Sequence, residues 1–144
     1  MTTDFEDVSR WVILVVEDDP DNTAVAEQIL AFHGARVVRA EDGADGLKAL
    51  SDLIPTVILL DLAMPVMDGW QMFKALKENL SLASLPVIAV TAHAMPESRE
   101  QAITAGFDGY ITKPYAVRTF VQEIRNCLVA HAGKRSLKDK PTDE

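Results

Sequence analysis

The chain has little of what an extracellular, membrane or nucleic-acid setting calls for. It carries one cysteine, Cys127, in 144 residues, so no internal disulfide is available. Its place between Ile124 and Leu128 on an apolar helical stripe marks it as a small buried hydrophobe. Basic residues are outnumbered, with 14 Lys and Arg against 22 Asp and Glu and a formal net charge of −8. Phosphate backbones are held by clustered Lys and Arg, so nucleic acid is not expected as a direct ligand. No apolar run approaches the ~18 residues of a membrane span. The acidic start MTTDFED also lacks the positive beginning of a signal peptide, and the cytoplasm is the expected location. No glycine-rich loop follows the first apolar run, where Glu17, Asp18 and Asp19 stand instead, which argues against a phosphate-cradling nucleotide or flavin site.

Short apolar runs alternate with longer segments whose apolar residues recur at helical spacing, the pattern of a parallel sheet covered by helices on both faces. The expected strands are 11–16, 36–40, 56–60, 86–90 and 109–112. Val25, Ile29 and Phe32 mark a first helix, opened by Pro20 or Asp21 and closed by Gly34. Leu47, Leu50 and Ile54 mark a second. A third covers about 69–80 with Phe73, Leu76 and Leu80 inward, and a fourth about 95–105. A fifth carries Val117, Phe120, Val121, Ile124 and Leu128. The expected limits are a loose segment over 1–9, one domain over 10–131, and a disordered tail over 132–144, which is charged and nearly free of large apolar side chains.

The polar residues that follow the strands carry the chemistry. Glu17, Asp18 and Asp19 follow the first strand, Asp61 the third, Thr91 the fourth and Lys113 the fifth. In a doubly wound sheet the ligand crevice lies outside the carboxyl ends of the strands, so these residues converge. Any one of them is ordinary in a loop. Together, like-charged carboxylates repel unless a cation balances them, and oxygen-only ligands at a watery site suit Mg²⁺, with Asp18 and Asp61 touching it directly. An ammonium from Lys113 and a hydroxyl from Thr91 match phosphoryl oxygens, leaving Asp61 to attack phosphorus in line.

Four segments, LVVEDDPDN at 14–22, LLDLAMPVMDGW at 59–70, VIAVTAHAM at 87–95 and GYITKP at 109–114, resemble the receiver domain of two-component response regulators, over about residues 10–131. The resemblance implies a flavodoxin-like α/β fold, a doubly wound five-stranded parallel sheet in order 2-1-3-4-5 with five helices. It implies Asp61 as phosphoacceptor, Glu17 and Asp18 as the acidic pair with Glu17 reaching Mg²⁺ through water, the Ala63 carbonyl as a further metal ligand, Thr91 and Lys113 as phosphoryl-binding groups, a cis Lys113-Pro114 peptide, and Tyr110 as an aromatic switch beside Thr91. Gly69 falls on the glycine of the loop after the acceptor. Partners implied are a sensor histidine kinase or histidine phosphotransfer protein, and an effector bound through the face of the fourth helix, fifth strand and fifth helix. That face is expected to include Met95, Glu97, Gln101, Tyr110, Tyr115 and Arg118, in a monomer or weak dimer.

Met64, Pro65 and Met67 read as loop packing, and His33, His93 and His131 as exposed positions. An aspartyl-phosphate hydrolase resembles this pattern but carries a second Asp two residues after the nucleophile. Ala63 stands there and cannot act as a general acid, so an enzyme acting on free substrate is not expected. Met1 and the tail read as the ends of a stand-alone regulator. The alternative is a receiver module of a larger hybrid kinase or regulator.

Overall fold

The structure, a computed structural model, describes residues 7–64, 67–92 and 96–139, the stretch 134–139 by its backbone alone. Strands and helices alternate as β1 (Val12–Val16), α1 (Pro20–Phe32), β2 (Arg36–Ala40), α2 (Gly43–Ala49), β3 (Val57–Asp61), α3 (Gly69–Glu78), β4 (Val87–Thr91), α4 (Pro96–Ala105), β5 (Gly109–Thr112) and α5 (Phe120–Asp139). The five strands form one sheet in the order β2-β1-β3-β4-β5, every neighbouring pair parallel. The expected fold class is the observed one.

VILVV, VILLD and VIAVT make the three central strands, buried along nearly their whole length. Such runs suit a sheet covered on both faces. Alternate residues split between two cores, since side chains on a strand point to opposite faces. Ile13, Val15, Val57, Leu59, Ile88 and Val90 pack with α1 and α5 residues such as Leu30, Phe120, Ile124 and Leu128. Leu14, Val16, Ile58, Leu60 and Ala89 pack on the other face with Met72, Phe73, Leu76, Ala102 and Phe107. There Phe107 stacks on Phe73 at 3.9 Å between ring centroids and takes Trp70 edge-on at 5.5 Å.

Several apolar residues expected inside are exposed: Val25, Phe32, Ile54, Leu80 and Val117. Two stripes at helical spacing pass through Ile29. Burial selects the one containing Thr23, Ala26 and Leu30 over the one containing Val25 and Phe32. The other three fall outside their helices, because α2 stops at Ala49, α3 at Glu78, and α5 begins only at Phe120.

Chain ends also differ from expectation. Val8–Arg10 form a 3-10 turn capped by the Asp7 side chain, and Val8 is buried. Residues 1–6 lie outside the described residues. Residues 132–139, expected in a disordered tail, continue α5. The segment AGKRSLKD has one large apolar residue, but Lys, Arg, Leu and Ala are good helix formers and extend a helix already nucleated. Residues 140–144 lie outside the described residues. Among those described, no helix is long and apolar enough to cross a membrane.

Candidate functional site

The parallel strands end together, and the residues at and just past those ends meet in one cleft. β3 takes in Asp61 as its last residue and β4 takes in Thr91, one position beyond the expected ends. Glu17 follows β1, and its backbone N–H donates to the Ala40 carbonyl at the end of β2 (3.0 Å). Lys113 follows β5, with its N–H on the Thr91 carbonyl (2.8 Å). Main-chain pairing between neighbouring strands thus holds the acid, hydroxyl and ammonium residues in register.

Glu17, Asp61 and Thr91 are buried and Asp18 is exposed. Carboxylate oxygens of Glu17, Asp18 and Asp61 lie within 4.8 Å of one another. Lys113 Nζ bridges two of these acids, donating to Glu17 Oε1 at 3.0 Å and Asp61 Oδ2 at 3.1 Å. The other oxygen of Asp61, Oδ1, accepts from the Ala63 N–H at 3.0 Å, so both oxygens of this carboxylate are oriented. Glu17 Oε2 accepts from the Asp19 N–H at 3.2 Å.

Burial, followed by the hydrogen bond to Asp61, pushes the Glu17 carboxyl up to about 7, against the pull of Lys113. Burial works against the charge on Lys113, but hydrogen bonds to Glu17 and Asp61 and the charges of both acids outweigh it, leaving this ammonium above its ordinary range. One ammonium among three carboxylates leaves negative charge unbalanced, and every side-chain donor atom facing the cluster from the acids is oxygen. That donor set fits a hard divalent cation such as Mg²⁺.

The loop after Asp61 is held by α3. Asp68 caps this helix in a reciprocal box with Gln71, an arrangement that satisfies two otherwise orphaned N–H groups. Gly69 N–H donates to the Leu62 carbonyl (3.2 Å). A Cβ at Gly69 would stand 2.4 Å from the Asp61 carbonyl oxygen and 2.7 Å from Leu62 Cα. Only glycine lets α3 begin this close to the strand that presents Asp61.

Other expected residues sort differently. Asp19 turns away to cap α1, its Oδ1 accepting from the Asp21 N–H at 2.9 Å. Met64 is buried and Met67 half-buried, as loop packing requires, while Pro65 lies outside the described residues. Of the surface assigned to effectors, Glu97, Gln101 and Arg118 are exposed and Tyr110 is half-buried against the α3-side core. Met95 and His93 lie outside the described residues. Tyr115 is not on that surface: it is buried and packs on Phe120 with ring centroids 4.4 Å apart. Burial and the charges of Glu17 and Asp61 raise its phenol well above its ordinary range. Cys127 is half-buried, and burial, then Asp108 and Glu123, push its thiol up to about 11. That suits packing and excludes a reactive thiolate.

His33 is exposed as expected, but His131 is not. Its side chain is 14% exposed and its Nδ1 lies 2.7 Å from Asp108 Oδ1. Neither partner of this pair stands out in the sequence as a functional residue. The available signal is the spacing of Cys127 and His131, four apart and so on one helical face.

Comparison with known proteins agrees with this geometry. The family model of the response regulator receiver domain matches residues 13–125. The chain is 32% identical over 116 residues to the polar-differentiation response regulator DivK of Brucella ovis, covering 81% of this chain and 94% of DivK. It is 34% identical over 115 residues to the sensor protein GacS of Pseudomonas syringae pv. syringae, covering 78% of this chain but only 13% of that much longer protein. Among solved structures, a CheY-like response regulator receiver domain protein from Methanospirillum hungatei superposes with a TM-score of 0.74 at 27% identity, over 86% of this chain and 98% of the other. Strand order, converging strand ends and sequence likeness lead to one answer: the chain belongs to the response regulator receiver domain family.

Proposed function

We propose that this receiver accepts a phosphoryl group on Asp61 from the phosphohistidine of a sensor histidine kinase or histidine phosphotransfer protein, and that the event alters a protein-binding surface. The observation that carries this reading is the orientation of Asp61, with Oδ1 on the Ala63 N–H and Oδ2 on Lys113. An oxygen of Asp61 attacks phosphorus in line. The new O–P bond forms as the N–P bond to the donor imidazole breaks, and the imidazole leaves with the electron pair. Lys113 already touches Asp61 and is poised to follow the incoming charge onto a phosphoryl oxygen, where a preplaced ammonium is most effective. Asp18, Asp61 and the Ala63 carbonyl, with Glu17 through a water, are the groups suited to hold Mg²⁺, which neutralises phosphoryl charge when bound. Thr91 donates its hydroxyl to the phosphoryl group by moving toward it, and Tyr110 turns into the space released. The α4–β5–α5 face then presents a changed surface to an effector. Ala63 offers no proton to a leaving group, so the only reactions are this self-directed transfer and autodephosphorylation.

The receiver unit on this reading spans 10–131, acts in the cytoplasm, binds neither nucleic acid nor membrane, and is a monomer or weak dimer. The match to a small part of GacS favours one second reading, a module of a longer hybrid protein with the same chemistry. Incubation with a phosphorylated histidine phosphotransfer domain, with intact mass as the readout, tests the function. Transfer is expected with Mg²⁺, and loss of it in chelator and in Asp61→Asn. Equal labelling of Asp61→Asn overturns the assignment.

A further inference from the structure

At the end of the sheet opposite the carboxylate cleft, α5 meets the entrance of β5 at two points one helical turn apart. A Cβ added to Gly109 would stand 2.0 Å from Cys127 Sγ, so the thiol occupies the space above that glycine. One turn on, His131 Nδ1 meets Asp108 Oδ1 at 2.7 Å. The other oxygen of Asp108, Oδ2, accepts from the Val87 N–H at 2.9 Å, and the Asp108 N–H donates to the Val87 carbonyl at 2.8 Å. Asp108 thus joins the starts of β4 and β5 to α5. Both side chains are shielded, at 5% and 14% exposure. His131 Nε2 is buried with no hydrogen-bond partner, so the polar hold on this imidazole runs through Asp108.

Beyond His131, α5 continues to Asp139, and a Cβ on Gly133 would meet nothing within 4 Å. The helix face at Gly133 is therefore open directly after this contact, and the backbone runs on as helix. Asp108 is two residues before Tyr110 on the same strand entrance, and Val87 begins the strand that ends in Thr91. A displacement of β4 or β5 has a short, stiff path to the last turns of α5.

We propose that Asp108 and His131 form a catch that couples the C-terminal turns of α5 to β4 and β5, making the helix beyond residue 131 a second output element of the receiver. The coupling itself rests on these contacts. Its use as an output rests on the proposed phosphorylation of Asp61.

Hydrogen–deuterium exchange of the peptide covering 129–139 tests both parts, in the wild type, His131→Ala and the gentler His131→Gln. In the unphosphorylated protein, loss of this shielded hydrogen-bonded contact should speed exchange of this peptide about tenfold in His131→Ala, leaving β1 and β3 peptides unchanged. Unchanged exchange at 129–139 in both variants overturns the catch. After phosphodonor and Mg²⁺, with the labelled fraction read by intact mass, exchange at 129–139 should shift in the wild type and not in His131→Ala at equal labelling. An equal shift in both, or none in labelled wild type, overturns the output role. Absence of label on Asp61 would instead refute the proposed function, while the unphosphorylated comparison still decides the catch.

Discussion

Replacing Glu17 by Gln should stabilise the metal-free protein at pH 8. Glu17 is 4% exposed, and burial with Asp61 alongside raises its carboxyl from 4.5 to about 7. The folded state therefore keeps a proton that the unfolded chain has released. Below about 4.5 the two states are alike in this respect, stability falls as pH climbs toward about 7, and above that the full cost of an ionised buried acid is present. At about 1.4 kcal/mol per pH unit, that cost is about 3 kcal/mol. Gln carries no charge, but its amide has one acceptor oxygen where the carboxylate offers two, to Lys113 at 3.0 Å and the Asp19 N–H at 3.2 Å. Losing one of those bonds costs about 1 kcal/mol. The net gain of about 2 kcal/mol corresponds to a Tm increase of about 5 °C. Thermal melts of both proteins in chelator at pH 8 and pH 4.5 measure it. The gain should vanish at pH 4.5, and should shrink at pH 8 when Mg²⁺ is added, because bound ligand stabilises the wild type. A mutant less stable than the wild type at pH 8, or a difference independent of pH, would refute the reasoning.

Lys113→Ala should lower phosphoryl transfer to Asp61 at least tenfold while raising Mg²⁺ affinity a few-fold, since the ammonium competes for Glu17 and Asp61; titration monitored by Trp70 fluorescence checks the second part. Gly69→Ala should destabilise by about 2–3 kcal/mol, because its Cβ would sit 2.4 Å from the Asp61 carbonyl oxygen, as read by urea unfolding. Deleting 134–144 should shift Tm by no more than about 2 °C, since the cut lies beyond His131 and the segment KRSLKDKPTDE has almost nothing apolar to bury; differential scanning calorimetry decides.

Legibility in the sequence tracks the physics of each element. Strand runs such as VILVV and VIAVT are buried on both faces, so they stand out as continuous apolar segments, and the residues after them point to the cleft. Glu17, Asp18, Asp61, Thr91 and Lys113 are legible because parallel strands end together. Helix faces are harder. The stripe through Val25, Ile29 and Phe32 is as periodic as the one through Ala26, Ile29 and Leu30, and only tertiary contact separates them. Low apolar content makes 132–139 a poor candidate for core, but apolar content and helicity are separate properties, so it does not reveal the extension of α5. Asp19 looks like a third site acid and instead caps α1, a local competition that carboxylates near helix starts commonly settle in favour of the cap. His131 reads as exposed because a lone histidine on a polar helix end gives no hint of a carboxylate brought to it from the entrance of β5.

The central claim is that the phosphoryl group resides on Asp61. An acyl phosphate is reduced by borohydride to an alcohol, which turns the phosphorylated aspartate into homoserine and leaves every unmodified aspartate untouched. Peptide mass mapping after phosphorylation with Mg²⁺ and reduction should find homoserine at position 61 and unmodified residues at Asp18, Asp19 and Asp68. Homoserine at any of those three with position 61 unmodified, or a phosphate retained on histidine, would contradict the account.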